Sequence, residues 1–171
     1  MNKCIFLDRD GVINRDNPDY VYKVSEFEIL PGVIEGFKRL KELGYLLVVI
    51  TNQSGITKGI YTYQEMKECH DHFQKVSGNL IDKFYFSPYH PSFTESLTRK
   101  PESLMFEKAV AKFNVDVTRS WMLGDKVRDL IPAKKLGIKG ILVNTEENSK
   151  EWPIASDMNE TIDIILGHIS L

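Results

Sequence analysis

Residues 4–11 read Cys4-Ile5-Phe6-Leu7-Asp8-Arg9-Asp10-Gly11: four consecutive apolar side chains, then acid, base, acid and glycine. A short run that is apolar at every position suits a strand covered on both faces, the usual setting of a parallel sheet between helices. Four more such runs follow, at 45–50, 81–86 (broken by Asp82 and Lys83), 121–123 and 140–143. Helical patterns separate them. Val33, Ile34, Phe37, Leu40 and Leu43 recur every three to four residues, with Pro31 ahead and Gly44 just beyond. A second helix opens at Thr62, where Thr62 and Glu65 have capping-box spacing, and its expected inward stripe is Met66, Cys69, Phe73 and Val76. A third spans 101–113 with Leu104, Met105, Ala109 and Phe113 inward. A fourth runs over about 127–136, and a last one over about 159–168, reaching His168. This strand–helix alternation predicts an α/β fold with a doubly wound, mostly parallel sheet. Residues 11–30 break the rhythm. Turn chemistry at 16–19 lies beside extended-looking stretches at 20–22 and 27–29, which predicts a small β-hairpin flap after the first strand.

The rest of the composition narrows the class. With 171 residues, a single domain over 1–171 is expected. Hydrophobic residues at 42% and charged residues at 27% are ordinary for a globular chain and exclude disordered and fibrous classes. Lys and Arg number 22 against 24 Asp and Glu, so a net charge of −2 gives no general attraction to nucleic acid or anionic lipid. Cys4 and Cys69 are the only cysteines, too few for a disulfide scaffold, and read as buried thiols. The first apolar run is too short for a signal peptide and no run reaches a membrane span. A cytoplasmic monomer with no membrane or nucleic-acid partner is expected.

In a doubly wound sheet, ligands bind beyond the carboxyl ends of the strands. Asp8, Asp10 and Gly11 follow the first run, and Thr51, Asn52, Gln53, Ser54 and Gly55 the second. Gly124, Asp125 and Lys126 follow the fourth, with Asp129 a turn later, and Arg99-Lys100-Pro101 precedes the third helix. Acids, a hydroxyl and a lysine thus converge on one edge, a set suited to phosphoryl transfer. Asp8 and Asp125 offer oxygen ligands for Mg²⁺. Asp8 is the candidate nucleophile and Asp10 the candidate acid/base. Thr51 with the turn after it is the candidate phosphate cradle, and Lys100 the fixed positive charge.

These four pieces resemble the four motifs of the haloacid-dehalogenase (HAD) superfamily. The strings FLDRDGVIN, TNQSGI, RKP and GDKVRD are similar to those of its heptose-bisphosphate and histidinol-phosphate phosphatases. The resemblance covers residues 6–143. It implies a Rossmann-like HAD core and a Mg²⁺-dependent phosphatase acting on a small phosphate ester through an aspartyl-phosphate. It places the nucleophile at Asp8 and the acid/base at Asp10, with metal contacts from Asp8, the Asp10 carbonyl and Asp125. Phosphate contacts fall on Thr51, Asn52 and Lys100, with Asp129 supporting Lys100. Arg99, at the site edge, is a candidate for a second anionic group.

Two departures from common relatives follow. The stretches between Asp8 and Thr51 and between Thr51 and Lys100 are filled by the elements above, so no cap domain is expected. Near relatives often carry a zinc loop before Arg-Lys-Pro, and the corresponding positions here are Ser87, Tyr89, Ser96 and Thr98, none a thiolate or imidazole, so no structural zinc is expected. His90 is a candidate substrate contact, and Lys126 and Arg128 read equally as solvated charges or as substrate contacts. His70 and His72 read as surface residues. A heptose 1,7-bisphosphate-type sugar phosphate is the first substrate expectation and histidinol phosphate the second. A polynucleotide end phosphatase and a non-hydrolytic phosphoacceptor domain stand as alternatives.

Overall fold

All five apolar runs form strands, and a sixth joins them. A computed structural model describes residues 1–167. Its strands are β1 (Cys4–Leu7), β2 (Leu46–Asn52), β3 (Lys83–Ser87), β4 (Trp121–Gly124), β5 (Lys139–Val143) and β6 (Ile154–Ala155). They make one sheet in the order β3-β2-β1-β4-β5-β6, with every neighbouring pair parallel. The helices are α1 (Val33–Glu42), α2 (Tyr63–Ser77), α3 (Leu104–Phe113), α4 (Val127–Lys135) and α5 (Met158–Leu166).

Because strand side chains alternate, the sheet feeds two separate cores. Ile5, Leu7, Leu47, Val49, Leu123 and Ile141 pack toward α1, α2 and α5. Phe6, Val48, Ile50, Met122 and Leu142 pack toward α3 and α4. Both faces are covered, which is why the strands read as unbroken apolar runs. Cys4 and Cys69 are buried free thiols. The flap, α1 and β2 fill the chain between Asp8 and Thr51, and α2, β3 and the loop 87–98 that between Thr51 and Lys100, so no cap intervenes.

Several expectations need correction. The flap is not a regular β-hairpin. A single antiparallel bridge, Asn14 to Ile29, closes it, with a 3-10 turn at Val24–Glu26. Tyr20 sits at φ 68°, and the Val21 carbonyl accepts from Arg9 at 2.7 Å, so backbone that would pair in a hairpin serves the site instead. In α2 the capping box forms as read. Its buried stripe runs through Met66, Cys69, His70, Phe73 and Ser77, while Val76 is exposed, because a 3.6-residue period carries the stripe from 73 to 77. His70 is therefore a core residue, stacked on Phe84 with centroids 4.3 Å apart, and not a surface one. In α3, which begins at Leu104, the buried side chains are Met105, Phe106 and Ala109; Leu104 and Phe113 are only half-buried. Strand β6 went unread because two residues are too few to show a period. Helix α5 ends at Leu166, and His168 lies outside the described residues.

Candidate active site

The carboxyl ends of β1, β2 and β4 bring the predicted residues together. Asp8 follows β1 directly, and its N–H bonds to the Leu123 carbonyl of β4 at 2.9 Å. The Lys100 ammonium is buried between two carboxylates, 2.9 Å from Asp8 Oδ1 and 2.9 Å from Asp129 Oδ1. It also donates to the Ile50 carbonyl at 2.8 Å. Burial opposes its charge, but Asp129 and Asp8 outweigh burial and hold its pKa above the ordinary lysine value. The Asn52 amide braces Lys100 from behind: its Nδ2 donates to the Lys100 carbonyl at 3.1 Å and its Oδ1 accepts from the Lys100 N–H at 3.0 Å.

Asp8 itself is crowded. Burial pushes its carboxyl up to about 7, and Asp129 and Asp125 add to the shift against the pull of Lys100. Asp125 is pushed up to about 6 by burial and by Asp129, with Lys126 opposing. Oxygens of Asp8, Asp125 and Asp129 lie within 4.8 Å of one another. Asp129 faces Lys100 with one oxygen and accepts the Lys126 N–H at 3.2 Å with the other. Asp8 and Asp125 are therefore the pair left to hold a cation, and hard carboxylate oxygens under mutual repulsion fit Mg²⁺. Gly11, at φ 83°, makes room for this arrangement. A Cβ there would sit 2.6 Å from the Asp125 carboxyl carbon.

Asp10 belongs to a second network that the sequence reading missed. Arg9 is buried and grips it twice, Nη2 to Oδ1 at 2.8 Å and Nε to Oδ2 at 3.1 Å. Asn14 donates to Oδ1 at 2.9 Å and Gln53 to Oδ2 at 3.0 Å. Burial alone would raise the Asp10 pKa, yet the Arg9 charge and these donors hold it below the ordinary carboxylate value. Gln53 also donates to Thr51 Oγ1 at 3.0 Å, and the Tyr61 hydroxyl fixes the amide by donating to its Oε1 at 2.7 Å. Tyr61 in turn stacks on Tyr22 of the flap at 5.1 Å. The one available signal was Arg9 itself, a base set between two acids at a strand end.

Above this floor lies a cleft of about 300 Å³. Arg99, Lys126, Arg128 and His90 line it, together with Asp16, Asn17, Pro18 and Tyr20 of the flap. Lys126 pairs with Asp16 at 3.0 Å and lies 3.4 Å from Asp125. Arg99 is half-buried and donates to the Tyr89 carbonyl at 2.9 Å. Burial and the nearby Arg128 lower its pKa. The rim is thus cationic and the floor acidic, although the chain as a whole is almost neutral.

Comparison with known proteins agrees with this geometry. The HAD-hydrolase-like family model matches residues 97–167. The D-glycero-beta-D-manno-heptose-1,7-bisphosphate 7-phosphatase of Haemophilus ducreyi is 34% identical, over 98% of this chain and 94% of that one. The enzyme of the same name from Helicobacter pylori J99 is 35% identical, over 96% of this chain and 97% of its own. The crystal structure of D,D-heptose 1,7-bisphosphate phosphatase from B. bronchiseptica, complexed with magnesium and phosphate, superposes with a TM-score of 0.88. Its identity is 26%, and the match covers 98% of this chain and 99% of that one. With relatives aligned along almost its full length, the chain belongs to the haloacid-dehalogenase family and is a phosphatase.

Proposed function

We propose that the chain is a Mg²⁺-dependent phosphomonoesterase that passes the phosphoryl group through Asp8, and that its substrate is a heptose 1,7-bisphosphate-type sugar phosphate. The observation that carries the reading is the buried Asp8–Lys100–Asp129 set beside the separately held Asp10. One carboxylate is poised at a fixed cation and another is kept apart from it. Asp8 would hold the ion with Asp125, and the resemblance adds the Asp10 carbonyl. When bound, the ion offsets repulsion between the carboxylate and a phosphate dianion. Together with Lys100 it favours an ionised Asp8, against the burial that raises its pKa.

In the first step Asp8 forms a bond to phosphorus while the bond to the sugar oxygen breaks, and Asp10 gives that oxygen its proton. In the second, Asp10 takes a proton from water, the water oxygen bonds to phosphorus, and Asp8 leaves as carboxylate. Once its proton is given to the sugar oxygen, Arg9, Asn14 and Gln53 stabilise the ionised Asp10 between the two steps, and the proton it takes from water restores it for the next turnover. The resemblance gives Thr51 and Asn52 as phosphate contacts, and Lys100 would oppose the charge that develops there.

The names of the relatives support the bisphosphate. So does the rim: Arg99, Lys126 and Arg128 line one cleft, and Arg128 stands close enough to lower the Arg99 pKa, which suits a second phosphate and disfavours the cationic amine of histidinol phosphate. The reading takes 1–171 as one catalytic domain, a cytoplasmic monomer acting on a small soluble ester. It includes no zinc in the loop 87–98, whose corresponding positions carry hydroxyls. Among the described residues no helix is long and apolar enough to cross a membrane.

The test is phosphate release by Asp8→Asn over a panel of sugar bisphosphates, histidinol phosphate and nucleotides with Mg²⁺. Turnover should fall by at least about a thousandfold while the melting temperature stays within a few degrees. Retained turnover would overturn the mechanism, and a preference for histidinol phosphate or nucleotides would overturn the substrate assignment.

A further inference from the structure

The loop 87–98 joins the end of β3 to Arg99 and Lys100, and three hydroxyls meet at its base. Ser87 Oγ lies 2.9 Å from Thr98 Oγ1, which lies 2.8 Å from Ser96 Oγ. The Thr98 N–H adds a weaker bond to Ser96 Oγ at 3.3 Å. Ser87 is fully buried. A hydroxyl offers one proton and two lone pairs, so Thr98 can bond both serines at once, and the middle position is the one both bonds need.

What this junction controls follows from what is anchored elsewhere. Lys100 is held independently, by two bonds from the Asn52 amide to its backbone and by Asp8, Asp129 and the Ile50 carbonyl at its ammonium. The backbone of Arg99 is held only by near neighbours, its N–H donating to the Ser96 carbonyl at 3.0 Å and its carbonyl accepting from the Glu102 N–H at 2.8 Å. The Arg99 guanidinium donates to the carbonyl of Tyr89, two residues beyond Ser87, at 2.9 Å. The Ser87–Thr98 bond ties the end of the loop that carries Tyr89 to the end that carries Arg99. The opposite side of the loop base is pinned as well: the Thr57 hydroxyl donates to the Pro88 carbonyl at 2.6 Å.

We propose that the Ser87–Thr98–Ser96 hydroxyl clasp, with Thr98 at its centre, is a specificity-positioning device that aims Arg99 at the second anionic group of the substrate. It touches neither the reacting phosphate nor Lys100. The inference rests on the proposed role of Arg99 at a second phosphate, so Arg99→Ala is measured beside it.

Thr98→Val keeps the shape and removes both bonds, and Thr98→Ser restores the hydroxyl. For Thr98→Val, kcat/KM on a sugar bisphosphate should fall at least tenfold, mainly through KM. On p-nitrophenyl phosphate, which lacks a second anion, it should change less than twofold. Thr98→Ser should recover most of the loss, and Ser87→Ala should repeat the pattern should Thr98→Val not fold. Equal losses on both esters, no loss on either, or no recovery with serine would overturn the clasp. If Arg99→Ala discriminates between the esters and Thr98→Val does not, the clasp alone fails. If Arg99→Ala does not discriminate, the reading of Arg99 fails and the clasp with it.

Discussion

Two buried cations divide the carboxylates of this site between them. Lys100 takes Asp8 and Asp129, while Arg9 takes Asp10. The first pairing was legible in the sequence because each member follows a strand or opens a helix at a position the sheet topology makes unique. The second was not. Arg9 reaches a neighbour rather than a distant group, and the Gln53–Tyr61 bond depends on how the turn after β2 folds back, which no periodicity encodes. His70 shows the same limit. Read as a surface residue, it lies instead on the buried stripe between Met66 and Phe73. Among the described residues its Nε2 has no hydrogen-bond partner, and burial lowers its pKa to about 3 from an ordinary 6.5. The unfolded chain therefore takes up the proton first as pH falls. Stability from this group is complete above 6.5 and declines as pH drops toward 3. At pH 5 the loss is about 2 kcal/mol. His70→Phe keeps the ring contact with Phe84 and removes the proton. Urea denaturation at pH 7 and pH 5 should show that the variant loses about 2 kcal/mol less than the native chain over that interval, and equal losses would refute the assignment.

At the scale of elements, helix starts and stripes were readable where capping chemistry and period agree, as at Thr62. They were misread where an element was too short, as in β6, or where its backbone serves the site, as in the flap. The packing of one helix on another was not readable at all. Gly36, inside α1, is an example. It reads as a weak helix residue, but a Cβ there would fall 2.1 Å from Met158 Cγ of α5. Alanine ordinarily gains about 1 kcal/mol over glycine inside a helix. Here the clash near the root of Met158 should outweigh that gain, leaving Gly36→Ala destabilised by about 1–3 kcal/mol in denaturant titration. A stabilised variant would show that α1 and α5 can separate freely.

For the molecule as a whole, a net charge of −2 conceals an acidic floor and a cationic rim. Without a cation, Asp8 and Asp125 keep their protons to about 7 and about 6, above an ordinary 3.8. The stability they contribute is present below that ordinary value and is lost as pH rises through 6 and 7. A divalent ion reverses this loss, because it binds the ionised pair. Millimolar Mg²⁺ should raise the melting temperature by a few degrees at pH 7.5 and by clearly less at pH 5.5. Equal shifts at the two pH values, or none, would remove Asp8 and Asp125 as the ion's ligands.

The strand order carries a further consequence, for how the chain is made. Strand β1 is first in sequence yet central in space, pairing with β2 on one side and with β4, beginning at Trp121, on the other. During synthesis β1, β2 and β3 can associate early, but the second edge of β1 waits for well over half of the chain to follow. Long-range parallel pairing is slow, and an open apolar edge invites association with other chains. The nascent amino-terminal half is thus the stage at which this protein is most exposed to aggregation. The same late closure brings Asp125 to Asp8, so catalytic competence and protection of that edge arrive in a single event.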